Sequence, residues 1–164
     1  GRFPEAGAAL EDAYFQASEF GALEVAATAT SLLVYTVGYK QARHEEGRRW
    51  WRQTDVLLKV LGVGEDSPLR AHGLSNLALV HDSMGAYAEA RELHERALAI
   101  RERALGREHP TVADSLHNLG TLLNTMGSYE AGLGLLERAL ALRERTLGAG
   151  HPAIAGTVNN LAGV

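Results

Sequence analysis

The sequence predicts an all-α protein, an α-solenoid of antiparallel helix pairs with about eight helices. Three observations carry that reading. Ser67 to Gly150 is one unit written twice: at a shift of 42 residues Pro68 falls on Pro110, Asn76-Leu77 on Asn118-Leu119, Met84-Gly85 on Met126-Gly127, Tyr87 on Tyr129, and Glu95-Arg96-Ala97-Leu98-Ala99 on Glu137-Arg138-Ala139-Leu140-Ala141. Apolar residues recur at three- and four-residue steps, the spacing of a helical stripe. Proline and glycine stand at fixed places in each copy. Self-similarity at a period of a few tens of residues marks a stacked array, in which each unit buries its apolar face only against its neighbours.

The frame extends outward from the doubled segment. His151-Pro152 and Asn160-Leu161 begin a further copy, and at twice the shift Gly1, Phe3, Glu5 and Ala6 fall on Gly85, Tyr87, Glu89 and Ala90. Both ends read as cut, so the chain is expected to be a fragment of a longer protein. The expected units are the second helix of a truncated unit (1–20), a degenerate unit (21–64), two full units (65–106 and 107–148) and the first helix of a truncated unit (149–164).

In order, Phe3, Ala6, Ala9, Leu10, Ala13 and Ala17 form one stripe of a helix ending near Ser18. After Gly21, Leu23 to about Val37 is rich in Ala, Leu and Val with few charges, and reads as a helix buried on most sides despite its β-branched residues. Between Gln41 and Gly62 the repeat degenerates. Counting back from Gly62, the analogue of Gly106, sets Arg52 on Arg96 and Val56 on Ile100, but Glu46 on Ala90 and Arg43 on Tyr87. Trp50 and Trp51 supply bulk there, and because adjacent helical positions point about 100° apart, one is expected inside and the other at least partly exposed.

Four helices with clear punctuation follow. Ser67 and His109 each precede a proline at the first helical turn, where its missing N–H costs nothing. Met-Gly-x-Tyr closes each first helix with a glycine able to take left-handed dihedrals, and the second helix opens at once, which makes the pair antiparallel. Arg91 with Glu95 and Glu92 with Arg96 are spaced for i,i+4 ion pairs on an outward face.

A hydrophobic fraction of 46% suffices for a continuous core, and the net charge of -4 comes from interleaved acids and bases. A nucleic-acid surface needs clustered Lys and Arg, so none is expected. Without cysteine there is no disulfide or thiolate site. No apolar run approaches the roughly 20 residues that span a bilayer. The expected chain is soluble and cytoplasmic, with no membrane partner.

A helix-turn-helix unit with Asn-Leu-[Gly/Ala] in its first helix, Gly-x-Tyr at the turn and Arg-Ala-Leu in its second resembles the tetratricopeptide repeat. The 42-residue length, the HP before a first helix, and the strings LSNLALVHDSMGAYAEARELHERALAIRERALG and LHNLGTLLNTMGSYEAGLGLLERALALRERTLG resemble its kinesin-light-chain variety. The resemblance is strongest over residues 67–164. It implies a right-handed superhelix, a right-handed α-solenoid, whose concave face is lined mainly by the first helix of each unit and holds a peptide or partner helix. The string VGYKQARHEEGRRWW is similar to the repeat region that follows bacterial serine/threonine kinases, which implies a signalling protein as the parent.

Carried over by position, the resemblance implies groove residues His72, Ser75, Leu79, Asp82 and Ser83 in one unit, Asp114, His117, Thr121, Asn124 and Thr125 in the next, and Gly156 and Asn159 in the third. In the degenerate unit the same offsets from Leu33 give Thr28, Ser31, Tyr35, Gly38 and Tyr39, with Tyr35 and Tyr39 as aromatic anchors. This set is polar and mixed in charge and contains no basic ring. Asn76, Asn118 and Asn160 are assigned to ties between helices. The mismatches between copies, such as His72 against Asp114, are where ligand preference is expected.

Other chemistry finds little support. The seven histidines show no i,i+4 pair with a third ligand, so no metal is expected. No phosphate loop, GxSxG, HExxH or cysteine nucleophile is present. The expectation is no catalytic residue and no cofactor. Two functions remain open: a non-catalytic scaffold that binds a peptide or partner segment in its groove, and a structural spacer that self-associates end to end.

Overall fold

The structure is a computed structural model that describes residues 2–148 and 150–163. Eight α-helices occupy those residues: α1 (Phe3–Glu19), α2 (Leu23–Leu33), α3 (His44–Val60), α4 (Pro68–Ser83), α5 (Tyr87–Leu105), α6 (Pro110–Thr125), α7 (Tyr129–Leu147) and α8 (Pro152–Ala162). A π-helical segment, Val34–Lys40, continues α2 without a break. Each helix packs on its neighbours in sequence, giving the all-α solenoid that the repeat predicts. No described helix is long and apolar enough to cross a membrane.

The helix starts repeat one device. Ser67 Oγ accepts from Leu69 N at 3.2 Å, His109 Nδ1 from Thr111 N at 3.3 Å, and His151 Nδ1 from Ala153 N at 3.2 Å. Each side chain satisfies a backbone donor that the first turn leaves free, so these two histidines are caps. At the other end of each first helix Gly85 and Gly127 take φ of 77° and 79°, the left-handed turn expected of a glycine after a helix.

The core is a row of small clusters, as a stacked array requires. Ala17, Ala26, Ala27, Leu57 and Leu58 join α1 to α3, while Val112, Ala113, Leu116, Ala139 and Leu142 join α6 to α7. Between them Ala71, Leu74, Ala97 and Ile100 pack with Trp51, and Val34, Leu77 and Val80 pack with Tyr39, Trp50 and Trp51. Neither tryptophan is fully inside. Both are half-buried, with Trp51 over Gly73 and Trp50 edge-on to Tyr14 at 5.4 Å.

Four local expectations are corrected. The buried face of α1 is Gly7 and Ala17 rather than the stripe through Phe3, Ala6 and Ala9, which are exposed. A Cβ at Gly7 would come within 2.9 Å of Gln41 Nε2, whose donation to Phe3 O at 3.0 Å ties α1 to the residue that caps the π segment. In the degenerate unit Gly47, not Glu46, takes the buried place of Ala90. Gly38 faces Gly47 so closely that a Cβ on it would sit 2.7 Å from the Gly47 Cα, which puts Gly38 inside a helix crossing and not in a groove. Arg91 pairs with Glu95 at 2.7 Å as spaced, whereas Glu92 and Arg96 form no ion pair among the described residues.

Candidate functional site

Three successive first helices converge on one open cavity of about 480 Å³. The π segment contributes Tyr35, Tyr39 and Lys40; α4 contributes His72, Ser75, Asn76 and Leu79; α6 contributes Asp114 and Asn118. Two arginines from second helices, Arg101 of α5 and Arg143 of α7, reach its floor. Of the groove residues inferred from sequence, Tyr35, Tyr39, His72, Ser75, Leu79 and Asp114 meet here.

The wider hydrogen-bond ring of the π segment carries the aromatic wall, and π turns inside helices often mark functional positions. The rings of Tyr35 and Tyr39 lie 5.6 Å apart, and Lys40 Nζ stands 5.2 Å and 4.7 Å from their centroids. Opposite, Ser31 and His72 share a hydrogen bond of 3.1 Å, and Asn76 Nδ2 donates to Ser31 O at 2.8 Å. Asn76 therefore is the tie expected of it, while Asn118 faces the cavity. Ser75 is 4% exposed and its Oγ has no partner among the described residues.

The floor is cationic. Arg143, 7% exposed, donates to Thr157 Oγ1 at 2.5 Å, to Ala153 O at 3.0 Å and to Asp114 Oδ1 at 2.8 Å. Arg101, 8% exposed, donates to Ser115 Oγ and pairs with no carboxylate among the described residues. Burial works against the Arg101 charge, and Asp114 supports it. His72 is held below the usual imidazole range by burial and then by Arg101. Lys40, Arg101 and Arg143 thus surround the cavity with one carboxylate, Asp114, among them. The expectation of a groove without a basic ring is corrected here: the inferred set drew on first helices, and two of these cations come from second helices.

The remaining inferred residues lie elsewhere. Asp82 is half-buried, and burial raises its carboxyl above the usual range. Ser83 bonds to Val80 O and His44 Nε2 at 2.8 and 3.2 Å. His117 and Thr121 are occupied between α6 and α8, where His117 lies 3.4 Å from both Thr157 Oγ1 and Asn160 Nδ2, and Asn160 donates to Thr121 at 2.8 Å. Burial and then Arg143 lower the His117 pKa, against Asp114. Asn124 is tucked over Gly132, where a Cβ would overlap its Oδ1. Thr28, Thr125, Gly156 and Asn159 are exposed, outside the cavity.

A second depression, about 370 Å³, lies between α1 and α3 and is lined by Tyr14, Glu46, Arg49, Trp50 and Gln53. It joins only two helices and holds no buried polar atom lacking a partner. No three His, Asp or Glu side chains gather as a metal site would require among the described residues.

Two family models described as tetratricopeptide repeat match residues 69–131 and 112–153. Solved structures match across almost the whole chain. BtubC (BKLC) from P. vanneervenii aligns with a TM-score of 0.81 at 23% identity, covering 99% of this chain and 65% of that one, so the chain spans less than two thirds of that neighbour. A kinesin light chain protein of Podosopora anserina with nearly identical TPR-like repeats aligns at 0.64 and 20% identity, covering 98% of this chain and 84% of its own. The N-terminal domain of stress-induced protein-1 (STI-1) from C. elegans aligns at 0.55 and 16%, covering 84% of this chain and 98% of its own. At such identities these likenesses concern the fold. No curated protein matches the sequence.

Proposed function

We propose, since this chain belongs to the tetratricopeptide repeat family, that it is an interaction scaffold holding an extended peptide segment of a partner in the cavity between its first helices. The fold supports protein partners in general and is typically non-catalytic. The observation that carries the finer reading is Ser75, a buried hydroxyl without a partner on the wall of an open cavity shared by three helices. A polar group buried without a hydrogen bond is costly, and rotation of the Ser75 side chain toward the cavity would let a ligand's backbone supply the missing one. Tyr35 and Tyr39 offer aromatic surface at one end, where binding energy tends to concentrate.

Panning a peptide library on the array and titrating the selected peptides against Leu79→Trp and Tyr39→Ala tests this. Leu79 and Tyr39 are both half-buried rather than fully enclosed, so both variants are expected to fold, which retained helicity checks, and to weaken binding at least about tenfold, worth about 1.4 kcal/mol. Unchanged affinity in both would refute the cavity as the site.

The likeness of VGYKQARHEEGRRWW to kinase-associated repeats supports placing the array in a larger, cytoplasmic bacterial signalling protein. A second reading, self-association, is favoured by Phe20 and Phe15 of the α1 region, 82% and 61% exposed. Exposed aromatics of this size mark interaction surfaces when they cluster. Light scattering over a dilution series decides it, and a constant monomer mass refutes it.

A further inference from the structure

We infer that the cavity is an anion site matched to a phosphoryl group, so that the segment captured there is phosphorylated. This rests on the reading of the cavity as the ligand site and goes beyond it by naming the ligand's charge.

The argument is one of charge and donors. Three cations, Lys40, Arg101 and Arg143, share the cavity with the single carboxylate Asp114, which Arg143 already holds at 2.8 Å. Two cations are left without a carboxylate, Lys40 and Arg101. Lys40 rests on tyrosine faces and Arg101 on a serine hydroxyl. A guanidinium 8% exposed that bonds directly only to a hydroxyl, with Asp114 supporting its charge from beyond salt-bridge distance, is an unusual placement, since buried charges are normally paired. A visiting anion would complete it.

A carboxylate brings one negative charge; a phosphoryl monoester brings about 1.5 to 2 and three acceptor oxygens. The excess here is two positive charges, counting three cations against one carboxylate. Hydroxyls of Tyr35, Tyr39 and Ser75 and the Asn118 amide supply neutral donors around the same space. The match in charge and in the number of acceptor oxygens favours phosphoryl over carboxylate.

Calorimetric titration and amide-resolved NMR of the whole chain test this with four probes: inorganic phosphate, N-acetylphosphoserine amide, N-acetylserine amide and N-acetylglutamate amide. The phosphoserine derivative is expected to bind with shifts at Ser75 and Asn118, the serine derivative not at all, and the glutamate derivative about tenfold more weakly or worse. Phosphate binding as tightly as phosphoserine would assign the site to the free ion; tighter phosphoserine binding would assign it to a modified chain. Both outcomes uphold a phosphoryl site; the first overturns the phosphorylated segment.

Lys40→Gln, at an exposed side chain, is expected to fold normally and to weaken phosphoserine about tenfold. Arg101→Gln is expected to weaken it further, with retained helicity confirming the fold. Glutamate binding equal to phosphoserine, or Lys40→Gln and Arg101→Gln binding as the parent does, overturns the inference. Peptides that bind the parent but not Leu79→Trp, in a chain that ignores phosphoserine, would leave the peptide site standing and remove only the phosphoryl group.

Discussion

His94→Leu separates one buried titrating group from the rest of the array. His94 is 1% exposed, neither ring nitrogen has a partner among the described residues, and burial, helped by Arg101, pushes its pKa down to about 4 from 6.5. The next copy carries fully buried Leu136 at this place. The folded state holds the imidazole neutral, while the unfolded chain takes up a proton below its ordinary value. The stabilising difference is therefore complete above about pH 6.5, falls as pH drops, and stops changing below about pH 4. Between about pH 7.5 and about pH 5 the loss from this group is about 2 kcal/mol, an order-of-magnitude figure from the linkage relation. The other histidines held low, His72, His81 and His117, act in the same direction but in both proteins, and so cancel in the comparison. Urea unfolding at the two pH values is expected to show the parent losing about 2 kcal/mol more than His94→Leu. Removing two unpartnered nitrogens should also stabilise the variant by about 1 kcal/mol at neutral pH. Parallel loss in the two proteins would refute the account of His94 as an acid-sensitive weak point.

Other outcomes follow from the packing and the ion pairs. At Gly132 a Cβ would overlap Asn124 Oδ1 and sit 2.8 Å from Gly120 O, whereas at Gly134, two positions on, it would meet nothing within 4 Å. Gly132→Ala should cost about 1 to 3 kcal/mol by overpacking, and Gly134→Ala should be neutral or stabilising by up to about 1 kcal/mol, both read from melting curves. Arg70 is 4% exposed and held by Asp55 at 2.8 Å, with Glu65 at 3.5 Å. Asp55→Ala should cost about 2 kcal/mol, below the usual range for breaking a buried pair because Asp55 itself is part-exposed, and denaturant midpoints report it.

Helix ends are legible in the sequence because each rests on one residue's local chemistry: a proline at a first turn, a cap at Ser67, His109 and His151, a left-handed glycine at Gly85 and Gly127. The stacking is legible because the same residues recur at one spacing. The degenerate segment is less so. From its buried glycine α3 reaches Gly62 one residue sooner than α5 reaches Gly106 from Ala90, so counting back set Glu46 where the chain uses Gly47, and nothing in the periodicity marks the Gly38–Gly47 crossing. In the cavity, the residues that differ between copies pointed to His72, Ser75, Leu79 and Asp114. Arg101 and Arg143 escaped because they match at the repeat spacing, and a matching residue reads as stacking. Their signal was a charged residue recurring within otherwise apolar helix strings, Leu-Ala-Ile-Arg and Leu-Ala-Leu-Arg, where a long cation can be buried only if it meets something polar. His117 and Asn124 resemble groove residues by position, yet contacts from α8 and α7 take them up, and no single-helix pattern shows a neighbour's reach.

Photo-crosslinking of a selected peptide tests the central claim most directly. A photoreactive benzophenone side chain placed at Tyr35, an aromatic position of the cavity wall, is expected to capture the peptide. The same group at Glu95, exposed on α5 outside the cavity, is expected to capture none. Equal capture at both positions, or capture at Glu95 alone, would contradict a ligand held between the first helices.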